Sequence, residues 1–232
     1  IRTITQGPSN QLWLGTEQGI WRYDSKANSF NTIPQPTETA LTIINEIHFL
    51  DDDHVLVGAQ EGAFIWQIPD EEWRAVISDR GIATIDSLAG QIWLGSYNGL
   101  LVGSYTDKRG QVENIEEIRI DARPEAGALN NAVSSLLIDK TGTFWIGTLD
   151  GLYSYAPLED LNPRPVGTAA DYELTDDQIT AILQLEPGLV GVGTRQGIHS
   201  LSNLPPVFHH LSAADFGEAF CSNVVLGCTA DE

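Results

Sequence analysis

Residues 145–152 read Trp-Ile-Gly-Thr-Leu-Asp-Gly-Leu, and the reading of that stretch decides the fold because the chain repeats it. Residues 13–20 read WLGTEQGI, 56–63 LVGAQEGA, 93–100 WLGSYNGL and 191–198 GVGTRQGI. Each copy has two glycines four places apart: Gly15/Gly19, Gly58/Gly62, Gly95/Gly99, Gly147/Gly151 and Gly193/Gly197. The first glycines follow one another at 43, 37, 52 and 46 residues, and a degraded copy, Val225-Leu226-Gly227, comes 34 residues after the last. The residue before the first glycine is always apolar, and Trp13, Trp93 and Trp145 precede it in three copies. That composition suits a strand packed on both faces. Asn98-Gly99 and Asp150-Gly151 are strong hairpin-turn signals, because glycine takes a positive φ without steric cost. All ten glycines are read as turn glycines.

Each copy is flanked by further apolar segments. Upstream lie Ile1–Ile4, Ile44–Ile47, Ile82–Ile85, Val133–Leu136 and Ile179–Ile182, joined to the glycine strand by polar turns such as Asp139-Lys140-Thr141-Gly142. Downstream, looser strands fall at 29–33, 71–77, 112–120, 164–172 and 206–211. Four strands in a unit of roughly 42 residues is the size of a propeller blade. No convincing 3.6-residue stripe indicates helical repeats. The chain is therefore expected to be all-β, a β-propeller of four-stranded antiparallel blades: five complete blades plus the start of a sixth. The blades run over about 1–41, 42–80, 81–130, 131–177 and 178–211, with 212–232 incomplete. Blades bury both faces against neighbours, so the chain reads as part of a larger propeller.

Composition bounds the function. Acidic residues outnumber basic ones 32 to 12, a formal net charge of −20. Such a surface repels phosphate backbones and anionic lipid heads, which argues against nucleic acid as a partner. No run approaches the ~18 apolar residues of a spanning helix. The chain contains no Met, and its start is expected to follow a processing boundary. Cys221 and Cys228 are too few for a disulfide framework or a four-cysteine zinc site. Alignment to the fourth blade puts Cys221 in a turn and Cys228 past the glycine strand, a register that disfavours a bond, while an oxidising compartment would permit one; the pairing stays open.

The stretch Leu129-Asn130-Asn131-Ala132-Val133, continuing through Asp139, Gly142, Trp145-Ile146-Gly147-Thr148, Asp150-Gly151-Leu152 and Tyr155, resembles the two-component regulator propeller repeat. That repeat runs L-x-N-x-V-x-x-I-x-x-D-x-x-G-x-L-W-I-G-T-x-x-G-L-x-x-Y. The other copies match in part, so the resemblance covers nearly the whole chain. It implies the extracytoplasmic, periplasmic part of a hybrid two-component or diguanylate-cyclase receptor, commonly seven-bladed. It further implies a small-molecule or oligosaccharide ligand, a homodimer, and output domains in a C-terminal part of the same receptor.

Candidate chemistry is sparse, and neither a catalytic residue, a cofactor nor a metal is expected. Glu46 and Asp86 are the acids on the inner strands, where Thr3, Ser135 and Ala181 hold the equivalent places in other blades. A glycosidase needs two carboxylates, one with a raised pKa; polarity of a central channel is the preferred reading of this pair. Asp51-Asp52-Asp53-His54 lacks the alternating ligands and central glycine of a calcium loop and reads as a hairpin turn. His209-His210 are adjacent on a strand, so they point to opposite faces. Asp139 to Trp145 superficially resembles a sialidase Asp-box with the wrong spacing, and reads as a turn. Propeller ligands sit over the mouth where turns between strands two and three meet the blade-to-blade connections. There the expected ligand contacts are Gln60, Arg80, Tyr97, Asn130 and Arg195. A protein–protein scaffold and a carbohydrate-active hydrolase are the rival readings.

Overall fold

The computed structural model describes residues 1–106, 110–120, 128–155, 163–166, 174, 178–202 and 209–211. They form five four-stranded antiparallel sheets, each in simple sequential order, the blades of a β-propeller. Blade one comprises β1 (Thr3–Gln6), β2 (Leu12–Thr16), β3 (Gly19–Asp24) and β4 (Ser29–Thr32). Blade two holds β5 (Ile44–Phe49), β6 (His54–Ala59), β7 (Gly62–Gln67) and β8 (Glu72–Ile77). Blade three holds β9 (Ile82–Leu88), β10 (Gln91–Ser96), β11 (Gly99–Thr106) and β12 (Gln111–Ile118). After a single helical turn, α1 (Ala128–Asn131), blade four follows as β13 (Val133–Ile138), β14 (Phe144–Thr148), β15 (Gly151–Tyr155) and β16 (Arg164–Val166). Blade five is β17 (Ile179–Glu186), β18 (Leu189–Thr194), β19 (Gly197–Ser202) and β20 (His209–Leu211). The degraded sixth copy and both cysteines lie outside the described residues.

Two compact units result, one of residues 1–97 with 101–118 and one of residues 98–100 with 119–232. In the first, Trp13, Ile20 and Ile33 of blade one share a core with Ile44, Ile47, Val55, Val57, Phe64 and Trp66 of blade two. The alternate residues of blade two, Leu56, Ala63 and Ile65, pack instead against Ile82, Ile85, Ile92, Leu94 and Leu101 of blade three. Strand β6 thus buries both faces, which is why it reads Val-Leu-Val with no polar alternation. In the second unit Trp145 and Leu152 pack on Ile179, Val190, Val192 and Leu201.

The two glycines of each copy do different work, which corrects the reading of all ten as turn residues. The second one of each pair follows the two-residue turn and has a positive φ: Gly19, Gly62, Gly99, Gly151 and Gly197. At Gly62 a Cβ would also run into the Ile77 carbonyl. Gly15, Gly58, Gly95, Gly147 and Gly193 lie inside strands, and where their surroundings are described the reason is close approach. A Cβ on Gly15 would sit 2.5 Å from Thr3 Cγ2 and 2.8 Å from Ile44 Cγ2; on Gly147 it would sit 2.5 Å from Ile179 Cγ2. The neighbouring blade's first strand therefore presses against bare backbone.

A bulge fastens adjacent blades. The pairing of β5 with β6 slips between Ile44 and Glu46, and that of β13 with β14 between Val133 and Ser135. The extra residue turns its side chain to the next blade: Asn45 Nδ2 donates to the Ile82 carbonyl at 2.9 Å, and Ser134 Oγ to the Ile179 carbonyl at 2.7 Å. Such bonds tie the extra residue of one blade's bulge to the backbone of the next blade's first strand.

Candidate functional site

The rim of each unit is built from the loops that the hairpin turns and blade connections bring to one end of the strands. In the first unit Gln60 lies in the turn after β6 and donates its backbone N–H to the Ile43 carbonyl at 2.9 Å. A Cβ on Gly81 would come within 3.0 Å of the Gln60 carbonyl, so the loop that carries Arg80 lies beside the turn that carries Gln60. Tyr97 occupies the matching turn of blade three and is 45% exposed, leaving its ring open to a planar partner. Gln60 is exposed as well. Arg80 is engaged: its guanidinium donates to Glu117 at 2.7 Å and to both carboxylate oxygens of Asp79 at 3.2 Å. In the second unit Arg195 is exposed in the turn after β18, and Asn130 belongs to α1. There the Leu149 N–H bonds to the Ala132 carbonyl at 3.1 Å, joining the blade-four turn to the segment behind Asn130.

Below the rim of the first unit, β1, β5 and β9 lie side by side, with a polar cluster across them. Thr3 Oγ1 lies 3.5 Å from Glu46 Oε1, and His48 Nε2 lies 2.8 Å from Ser87 Oγ. Removal from water pushes the Glu46 carboxyl up to about 7, and the nearby Asp86 charge adds to that, against hydrogen bonds from the Ile47 backbone and Thr3. Burial likewise holds His48 below the usual histidine range, against the pull of Asp86. Near neutrality the cluster offers a neutral imidazole, a hydroxyl pair and a carboxyl poised between its two states. It can donate and accept hydrogen bonds and hold one proton.

The register changes which residue answers to Glu46. Glu46 stands opposite Gly58, as Thr3 stands opposite Gly15 and Ser135 opposite Gly147. In β9 that place belongs to Thr84, opposite Gly95, while Asp86 stands opposite Trp93 and answers to His48. The two acids are thus at different levels of the strands. Sequence reading found both acids and missed His48 and Ser87; a fixed count back from the glycine would not have placed them, because the paired residue is 12 places before it in blade two and 11 in blade three.

The remaining polar motifs are turns with internal uses. Asp51 accepts from the backbone N–H groups of Asp53 and His54 at 2.8 Å each, from His54 Nδ1 at 2.9 Å and from the Tyr105 hydroxyl at 2.5 Å. Burial alone would raise the Asp51 carboxyl, but these donors hold it below the ordinary carboxylate range. Tyr105 comes from blade three, so this turn fastens two blades. Asp139 accepts from Thr141 N at 2.8 Å, Thr141 Oγ1 at 2.5 Å, Thr143 N at 3.0 Å and the buried Trp145 Nε1 at 2.9 Å. His209 and His210 lie on β20, opposite Ser200 and His199.

The family described as Two component regulator propeller matches residues 127–150, the helix-to-turn segment of blade four. Among curated proteins nothing matches. The extracellular domain of BT4673 from B. thetaiotaomicron, described as a one component system in one structure and a hybrid two component system in another, superposes with TM-scores of 0.66 and 0.58 at 18% identity. PorZ of Porphyromonas gingivalis, described as a bacterial surface component of the type-IX secretion system, superposes with a TM-score of 0.71 at 16% identity. Those matches cover 100% of this chain for BT4673 and 99% for PorZ, but only 36% of each of those chains. A β-propeller domain of Cps50 (Swd1) from Myceliophteria thermophila, at 12% identity and a TM-score of 0.65 over 89% of this chain and 67% of its own, has the same fold. At these identities the resemblance is one of fold.

Proposed function

Because the chain carries the two-component regulator propeller repeat, we propose that it is the extracytoplasmic ligand-sensing propeller of a bacterial signal-transduction receptor. The single observation behind this reading is the match of that repeat at residues 127–150. The fold shared with the extracellular domain of BT4673 supports it. The chain spans 36% of that extracellular-domain chain, and in this reading signalling output lies in another part of the same receptor.

The ligand in this reading is a small neutral molecule, an oligosaccharide above all, bound at the rim. On the first unit Tyr97 supplies a stacking ring and Gln60 an amide; the second unit carries its own candidates, Asn130 and Arg195. Arg80 contributes by shaping the loop, since Glu117 and Asp79 occupy its donors. Beneath Gln60 the Glu46–His48–Ser87 cluster presents mostly neutral donors and acceptors, which suits hydroxyl groups better than ions. The receptor acts as a homodimer, with neither nucleic acid nor cofactor involved.

Calorimetric titration with neutral oligosaccharides of several compositions tests the proposal. Saturable binding without turnover, weakened about tenfold or more by Tyr97→Ala, is the expected result. Turnover lost in Glu46→Gln would replace it with a hydrolase, the reading that the raised Glu46 carboxyl favours. A stable protein partner held by the same rim, with every saccharide inert, would replace it with a scaffold.

A further inference from the structure

Away from the rim, a groove of about 470 Å³ opens between the segment leaving blade one, residues 34–39, and the outer half of blade two. Its floor is aromatic. Phe64 and Trp66 are each 3% exposed, and Trp66 meets the half-buried Trp73 with ring centroids 5.0 Å apart at 48°. Trp73 Nε1 donates to the Pro34 carbonyl at 2.7 Å, which fixes the far wall against the floor. Glu38, Glu71 and Glu72 line the walls, and no Lys or Arg does so among the described residues.

The three carboxylates repel anions, and a neutral guest gains from the ring surface alone. A cation gains twice there, from the ring quadrupole beneath and from the carboxylates around it. The volume admits one long side chain rather than a folded element. We propose that this groove is a docking site for an arginine or lysine side chain presented by an extended segment of a partner protein. Charge complementarity selects the occupant: the chain's net charge of −20 steers basic segments toward it, and the groove offers them a desolvated aromatic seat. The site is separate from the rim, so it stands whether or not the sensor reading does.

The test is a fluorescence titration of the chain with the capped peptide Gly-Arg-Gly, read on tryptophan emission, beside the same peptide with citrulline in place of arginine. Saturable quenching by the arginine peptide, weaker at high salt, is expected. The affinity should fall roughly fivefold or more in Glu38→Gln/Glu71→Gln, which leaves the aromatic floor intact. Trp73→Phe, which keeps a ring but loses the bond to Pro34, should retain charge selectivity while binding less tightly. Equal response to citrulline, no response up to millimolar peptide, or quenching by a neutral saccharide and not by the cation would overturn the proposal.

Discussion

Replacing Asp139 should unlock blade four. The carboxylate accepts from four donors, and only one of them, the Trp145 indole N–H, is enclosed; Trp145 is 5% exposed. In Asp139→Ala the Thr141 and Thr143 groups, near the surface, recover much of their loss from water. The indole cannot. A buried donor left unsatisfied costs about 1–3 kcal/mol, and a hydrogen bond to a charged group contributes about 1.5–3 kcal/mol, so the whole change should destabilise the unit by about 3 kcal/mol. Asp139→Asn is the sharper probe. Its oxygen can serve the turn N–H groups, but its NH2 then meets the indole N–H, donor against donor, and about 2 kcal/mol should be lost. Urea unfolding followed by circular dichroism measures both. The Asp139/Trp145 double-mutant cycle with Trp145→Phe should show a coupling of about 1 kcal/mol or more. The sign of the pH dependence is also fixed. Burial would raise the carboxyl, yet the hydrogen bonds hold it below its ordinary 3.8, so this stabilisation is complete above that value and fades as pH falls through the lower folded-state value. Asp139→Ala costing under about 0.5 kcal/mol, or Asp139→Asn matching the native chain, would refute the account.

Other substitutions probe the remaining devices. Thr148 Oγ1 donates to the Gly151 carbonyl at 2.9 Å and accepts from Asp150 N at 3.2 Å, and Thr148 is fully buried; Thr148→Val should therefore cost about 1–2 kcal/mol in thermal or urea unfolding. Gly147→Ala puts a methyl 2.5 Å from Ile179 Cγ2, so an overpacking loss of about 1–3 kcal/mol is expected, partly relieved by Ile179→Ala in the same chain. Glu46, raised to about 7 from 4.5, binds a proton in the folded chain that the unfolded chain has released. Stability should consequently fall as pH rises from about 4.5 through 7, and Glu46→Gln should flatten that segment of the stability profile. An unchanged slope in Glu46→Gln would assign the dependence to other groups.

The blades were legible because their determinants are local and repeat. Two glycines at fixed spacing, an apolar run between polar turns and Asn-Gly or Asp-Gly pairs each specify a hairpin without reference to the rest of the chain. What escaped are bonds that cross between repeats. Gly15 and Gly147 look like turn residues until the next blade's isoleucine is seen against them. Asn45 and Ser134 hold no recognisable place in the pattern, since the bulge that turns them toward the next blade exists only in the register. The threonine after the first glycine, Thr16, Thr148 and Thr194, was visible in three copies. Its hydroxyl closes the turn by bonding the carbonyl of the second glycine at 2.8, 2.9 and 3.1 Å.

The rim was placed by topology alone, and topology cannot say which side chains are spent. Arg80 is the instructive case: a guanidinium in the right loop, already divided between Asp79 and Glu117. Departures from the repeat carry more information than the repeat does. In blade one the Gly7 N–H bonds the Gln11 carbonyl at 2.7 Å, as the Asp139 N–H bonds Thr143 at 3.0 Å, so Gly7 stands where blade four has its locking carboxylate. The Trp13 indole accordingly has no acceptor among the described residues, and Arg22 lies 5.9 Å from its ring centroid instead. Restoring the aspartate would not help, because a Cβ on Gly7 would sit 2.5 Å from Phe49 Cζ, whose ring packs edge-on against Trp13. Blade one has exchanged a polar lock for an aromatic one. By the same logic Glu46, which stands where the other first strands carry Thr3, Thr84, Ser135 and Ala181, is a departure that packing does not require. The burial of Glu46 and His48 costs desolvation, which the bonds of Glu46 to Thr3 and of His48 to Ser87 on the neighbouring blades offset only in part. Glu46, whose carboxyl burial pushes up to about 7, keeps the largest uncompensated share, which is the physical reason to look for the ligand beside it.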